Sequence, residues 1–229
     1  MLLLTIAVAL TTVSADPVPK KSAKDALQPL GVLIGSWKGT GYPDGKLNGG
    51  WSETVTWSWK FKGPEAWLEV AFDKGRYFTT GEMHYLPDTD KYRLSLTKTD
   101  KSKVEFTGSL ELGKNKQPIL TLDRTDAATK QDQRFVLSVL HANRYLFRYD
   151  TKPSAASDYA REYFVGATKD GEPFAVAPKG IECIVSGGRG TIAVNYKGKT
   201  YYVCCTGCRD AFNETPEKFI LEAAKNEKK

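Results

Sequence analysis

The chain has 229 residues, enough for one or two domains, and its 41% hydrophobic and 26% charged content excludes a disordered or collagen-like polymer. Lys and Arg outnumber Asp and Glu by 33 to 27, but the charges are dispersed along the chain, which argues against a nucleic-acid partner. Aromatic residues make up 11%, which suits a β-rich fold, and the two histidines are too few for a multi-histidine metal centre.

In chain order, Leu2–Leu10 is apolar apart from Thr5 but far shorter than the ~20 apolar residues a bilayer needs. Val13-Ser14-Ala15 fits a small-residue cleavage site before Asp16, so residues 1–15 read as a signal peptide. No cysteine follows the apolar run to carry a lipid anchor, and no later stretch is built as a membrane span. The expected mature protein is exported, to a periplasmic or extracellular location. Residues 16–26 read as a linker, and a short helix is expected around Ala23–Ile34.

From Gly35 to Gly166 the pattern has period two. Trp51, Glu53, Val55, Trp57 and Trp59 alternate with Ser52, Thr54, Thr56, Ser58 and Lys60, which makes a half-buried strand. Further strands are expected at Gly35–Gly41, Trp67–Phe72, Tyr77–Leu86, Tyr92–Thr97, Val104–Leu112, Ile119–Asp123, Arg134–Leu140, Arg144–Asp150 and Asp158–Gly166, separated by turn signals such as Lys62-Gly63-Pro64 and Pro87-Asp88-Thr89-Asp90. Short loops favour antiparallel neighbours, and closing such a meander removes its exposed edges. The fold class expected is therefore mainly β: an antiparallel up-and-down β-barrel of about ten strands over residues 27–167. A two-sheet sandwich is the alternative.

Leu30-Gly31-Val32-Leu33-Ile34-Gly35-Ser36-Trp37-Lys38-Gly39 resembles the L-x-G-x-W-x-G opening of lipocalin-like and nitrobindin-like barrels. That resemblance implies a Trp closing one barrel end and a barrel able to carry a small hydrophobic ligand. Nitrobindin-like barrels hold haem through a histidine near the last strands; Asp158–Gly166 has none, and His84 and His141 read as ordinary histidines, so no haem is expected. Arg93, Arg134, Arg148 and Arg161 suit a solvated outer face better than an anion pocket. No nucleophile elbow, His–carboxylate spacing or phosphate loop is present, and no enzyme activity is assigned to the barrel.

After a Pro- and Gly-containing linker (Thr168–Lys179), residues 180–229 hold all four cysteines: Cys183, Cys204, Cys205 and Cys208. Ile192–Tyr196 and Thr200–Val203 form an expected hairpin about Lys197-Gly198-Lys199. Arg209–Asn213 reads as a turn of helix, and Thr215-Pro216-Glu217 opens another, with Phe219, Ile220 and Ala223 facing Phe212. Gly207 reads as the residue that permits a tight knuckle, and the helix start with Arg209 as what favours thiolate. About fifty residues bury too little apolar surface to be stable alone, and a structural metal is one remedy.

The stretch from Cys183 through Tyr196-Lys197-Gly198-Lys199-Thr200-Tyr201-Tyr202-Val203-Cys204-Cys205-Thr206-Gly207-Cys208 to Phe212 and Thr215-Pro216-Glu217-Lys218-Phe219 resembles the YHS/TRASH family over residues 178–222. The resemblance implies a small treble-clef-like module linked with heavy-metal trafficking, resistance or sensing. It implies Cys183, Cys204 and Cys208 as ligands; Cys205 falls on a non-ligand position, yet its sulfur can supply a fourth donor. Soft sulfur selects Zn(II) or Cu(I), and one ion is expected. Two other readings of the thiols stand beside this one: disulfides, which export permits, and thiol exchange by Cys205-Thr206-Gly207-Cys208, which lacks a thioredoxin-like βαβ setting.

Overall fold

The structure is a computed structural model that describes residues 21–44, 48–153, 158–171 and 181–226. The expected signal peptide and most of the 168–179 linker lie outside the described residues. No helix among the described residues is long and apolar enough to cross a membrane.

Ten strands form a closed barrel. They are β1 (Gly35–Pro43), β2 (Trp51–Lys62), β3 (Glu65–Asp73), β4 (Phe78–Leu86), β5 (Lys91–Lys98), β6 (Lys103–Leu112), β7 (Pro118–Thr125), β8 (Asp132–His141), β9 (Arg144–Lys152) and β10 (Ala160–Lys169). Each pairs antiparallel with its sequence neighbours, and β1 closes the ring on β10 with Trp37 opposite Lys169 and Gly41 opposite Val165. The alternation read from sequence is the inside–outside alternation of the wall: Glu53, Val55, Trp57 and Trp59 of β2 are buried while the residues between them are more exposed. Closure leaves neither terminal strand with an unpaired edge along its full length.

One end of the barrel is covered by helix. Ser22 caps α1 (Ala23–Leu27) by accepting the Asp25 N–H at 3.1 Å. A 3-10 helix, Gln28–Leu33, follows. The single helix expected over Ala23–Ile34 is thus divided, because Pro29 lacks the N–H that would continue the α ladder. Leu27, Leu30 and Leu33 are fully buried beneath this cap. Two hydrogen bonds fasten it to the wall: Trp37 Nε1 donates to the Leu33 carbonyl at 2.5 Å, and the Tyr92 hydroxyl donates to the Ala26 carbonyl at 2.7 Å. Trp37 also packs edge-on against Tyr145, with centroids 4.8 Å apart.

Toward the other end, aromatic rings span the lumen. Tyr77 stacks on Tyr163 of β10 at 4.2 Å, Tyr163 on Tyr149 of β9 at 5.2 Å, and Tyr149 meets Phe106 of β6 edge-on at 6.3 Å. Tyr77 with Tyr163, and Tyr149 with Phe106, join parts of the wall that are not neighbours in the sheet. Rings therefore occupy the lumen at this level, and the expected hydrophobic ligand in the barrel gains no support. Glu53 also points inward here; its Oε2 accepts Trp51 Nε1 at 3.0 Å, and burial raises its pKa above the usual carboxylate value.

Arg134, Arg148 and Arg161 lie on the outer wall around Asp150. Arg134 forks onto Asp123 at 2.7 and 2.9 Å, Arg148 reaches Asp150 at 2.9 Å, and Arg161 reaches Asp44 at 2.5 Å. Each of these three guanidiniums has a carboxylate on the outer face, whereas Arg93, expected with them, has its Nε buried without a hydrogen-bond partner among the described residues. His84 stacks on Trp67 and bonds Glu82 at 3.1 Å, and His141 Nδ1 accepts the Asn143 N–H at 3.3 Å.

Candidate metal centre

The C-terminal segment forms a hairpin, β11 (Ile192–Tyr196) with β12 (Lys199–Val203), followed by α2 (Thr206–Glu214) and α3 (Pro216–Asn226). Lys197 and Gly198 turn the hairpin with φ of 48° and 75°, a pair of positive angles that a two-residue turn needs and that glycine adopts without strain. Val185, Val194, Val203, Phe212 and Phe219 make a small core, in which Tyr201 and Tyr196 pack on Phe212. Helix α2 begins three residues before the expected Arg209, because Cys205 takes an extended N-cap conformation and its carbonyl accepts the Arg209 N–H at 3.0 Å.

The first thiol is set by a tight loop. The Cys183 N–H donates to the Gly188 carbonyl at 2.6 Å, and the Gly187 N–H donates back to the Cys183 carbonyl at 2.8 Å. The next residue ties this loop to the hairpin, with the Ile184 N–H donating to the Tyr202 carbonyl at 2.9 Å. Cys204 leaves the end of β12, and Cys208 lies in the first turn of α2. Loop, strand end and helix start thereby converge.

The sulfurs of Cys183, Cys204 and Cys208 all lie within 4.8 Å of one another, and Cys204 Sγ is 3.5 Å from Cys208 Sγ. Four thiolates around zinc at about 2.3 Å would stand about 3.8 Å apart, so the spacing suits a shared cation. All four cysteines are free thiols, and all are buried, Cys208 completely. The expected convergence of Cys183 on the Cys204–Cys208 knuckle is thus present. Cys205, expected to be able to supply a fourth donor, is buried next to this set but is not among the three sulfurs that lie within 4.8 Å of one another.

Proton sharing divides the thiols. Hydrogen bonds from the Cys204 and Cys208 thiols, aided by the Ser186 hydroxyl and N–H, pull the Cys183 pKa down to about 2 against the opposing effect of burial. Cys205 is pulled down to about 3, by the Cys204 and Cys208 thiols first and then by the backbone N–H groups of Cys208 and Trp59. Cys204 and Cys208, as donors to those anions, are pushed up. Lowered thiol pKa values within a group of buried sulfurs suit a soft cation, which binds thiolate. The helix start contributes through the Cys208 N–H, whereas Arg209, expected to favour thiolate, turns its Nε to Asp210 at 3.3 Å.

Gly207 has a different role from the one expected. It shows no positive φ; instead a Cβ there would stand 1.8 Å from the Trp59 carbonyl oxygen. Glycine lets the start of α2 lie directly against β2. The cap completes the surroundings: Gln28 Nε2 donates to the Ser186 carbonyl at 3.1 Å, Lys24 pairs with Glu222 at 3.2 Å, and Lys24 Nζ lies 5.3 Å from the centre of the Phe219 ring. Sequence reasoning missed Ser186, Gln28 and Trp59 as neighbours of the thiols. Only Gly207 carried a signal, since a glycine inside a helix costs about 1 kcal/mol and so asks for a packing reason.

No protein-family model matches the chain, and no curated protein matches it significantly. What can be stated of the molecule is a closed ten-stranded barrel carrying a cysteine cluster able to hold a metal ion.

Proposed function

We propose that the chain is a non-catalytic metal-binding protein that holds one soft ion, Zn(II) or Cu(I), on Cys183, Cys204 and Cys208. The observation that carries this reading is the meeting of those three buried sulfurs within 4.8 Å. Disulfides join sulfurs two at a time, whereas one cation engages all three of these sulfurs at once. The resemblance of residues 178–222 to the YHS/TRASH family supports the same set of ligands. The expected leader supports action outside the cytoplasm, in a periplasmic or extracellular role in heavy-metal handling. Burial of every thiol favours retention of the ion over rapid hand-over to a partner.

Metal analysis of protein purified under reducing conditions tests the reading. One zinc or copper per chain, lost together with Cys183→Ser or Cys208→Ser while the barrel stays folded, is the expected result. Protein that takes up neither metal after reduction and reconstitution contradicts it.

A further inference from the structure

We infer that Ser186 is a positioning residue of the metal centre: its hydroxyl donates a hydrogen bond to the Cys204 sulfur, and Gln28 of the barrel cap holds the loop that carries it. This rests on the metal-binding reading above and names what orients one of its ligands.

Ser186 Oγ lies 3.3 Å from Cys204 Sγ, and both residues are buried, Ser186 with only 3% of its surface exposed. Ser186 belongs to the tight loop that sets Cys183, in which Gly187 turns the chain with a φ of 72°. Past that turn the Gly188 N–H approaches Ser186 Oγ at 3.5 Å. The loop rests on the cap of the barrel. Gln28 Nε2 donates to the Ser186 carbonyl at 3.1 Å, and a Cβ on Gly188 would stand 3.5 Å from the Gly31 carbonyl oxygen. Cys204 is also held through its backbone, since the Thr191 hydroxyl donates to its carbonyl at 3.3 Å. Ser186 thereby joins the loop of one ligand, Cys183, to the sulfur of another, Cys204.

The direction of this hydrogen bond follows from the ion. A free thiol can give or take the proton, but a metal-bound sulfur is a thiolate with none to give, so the hydroxyl must donate. The Gly188 N–H occupies the acceptor side of Ser186 Oγ and leaves its proton for the sulfur. A buried hydroxyl needs such a partner. Three thiolates carry more negative charge than one Zn(II) or Cu(I) cancels, and a hydroxyl aimed at sulfur disperses part of the excess. The same bond fixes how Cys204 presents its sulfur to Cys183 and Cys208, as outer-shell donors do in metal sites generally. The side chain that holds Ser186 stands 158 residues earlier in the chain, so the closed end of the barrel serves the centre as its scaffold.

The test titrates cobalt(II) into the reduced full chain and reads the thiolate-to-cobalt charge-transfer band. Without its hydrogen bond the sulfur gives up an electron more easily, so Ser186→Ala is expected to move the band to longer wavelength and to weaken cobalt binding about 10-fold. Ser186→Thr, which keeps the hydroxyl, is expected to hold the band at the wild-type position. A band in Ser186→Ala at the wild-type position, or an equal shift in both variants, overturns this inference while leaving the metal-binding reading intact. Gln28→Ala is expected to shift the band in the same direction by a smaller amount; wild-type band and affinity there overturn the part assigned to the cap. A wild-type chain that shows no thiolate band with cobalt overturns both readings. An independent measurement needs no variant: in the cadmium-113-loaded chain, a proton–cadmium correlation is expected to connect the metal to the Ser186 hydroxyl proton through the O–H···S bond. Couplings to cysteine β-protons without that hydroxyl proton overturn the role of Ser186.

Discussion

Gly207→Ala separates the metal centre from the barrel without touching a cysteine. The added Cβ would lie 1.8 Å from the Trp59 carbonyl oxygen, where real Cβ atoms essentially never approach within 3.0 Å. The first turn of α2 must therefore withdraw from β2 by about 1.2 Å or more, or the strand must yield. Withdrawal shifts the turn that carries Cys208, whose sulfur meets those of Cys183 and Cys204, and loss of such outer support typically weakens metal affinity about 10- to 100-fold. A loss of about 2 kcal/mol corresponds to roughly a 30-fold weaker metal affinity, at 1.4 kcal/mol per tenfold. Competition for zinc against a chromophoric chelator measures this, with near-ultraviolet circular dichroism reporting whether the barrel aromatics stay packed. Gly31→Ala is the matched control, since a Cβ there meets nothing within 4 Å. A Gly207→Ala protein with an intact barrel and zinc affinity equal to that of the control would refute the coupling between seating of α2 and metal binding.

Other parts of the account make their own predictions. Trp37→Phe removes the hydrogen bond to the buried Leu33 carbonyl and should cost about 1–3 kcal/mol in urea unfolding, with an unchanged fold; a cost near zero would mean that the cap is not fastened there. Glu53 is protonated more readily when folded, because burial raises its pKa. Between the unfolded value of 4.5 and the raised folded value, the folded state holds the extra proton, so stability falls as pH rises through that interval. Glu53→Gln should flatten that decline in thermal melts, and an unchanged slope would contradict the assignment. Stripping the ion from loaded protein should lower stability by about 2.7 kcal/mol relative to a free metal level of 100 times the dissociation constant, seen by calorimetry; identical melts with and without metal would speak against a bound ion. Glu217, which accepts from Tyr196 and from Lys197 at 2.9 Å, should titrate near 2 in carboxyl NMR, a midpoint that returns toward 4.5 in Lys197→Ala with Tyr196→Phe.

The barrel was legible because its signal is local and repeated. Glu53, Val55, Trp57 and Trp59 announce the inward face of β2 in a few consecutive residues, and the same alternation recurs around the wall. The meeting of Cys183 with Cys204 and Cys208 was legible from spacing and from the hairpin between them, since a short turn fixes how the ends return. Boundaries set by a single residue were harder: Pro29 divides the cap helix, and Cys205 starts α2 early. What no local pattern encodes is docking. Gly207 was read as a turn residue because its neighbours suggested a knuckle, whereas the structure uses its missing side chain against Trp59, far away in sequence. Gln28 and Ser186 are likewise brought together only by the tertiary fold.

The central claim is that buried sulfurs near the C-terminus share one soft cation. Metal-edge X-ray absorption on protein purified with its own metal and without added chelator tests it most directly. The account predicts one ion per chain bound by at least three sulfurs at about 2.3 Å. An ion bound only by oxygen or nitrogen, or a protein whose four cysteines are recovered as disulfides that bind no metal after reduction, would contradict it.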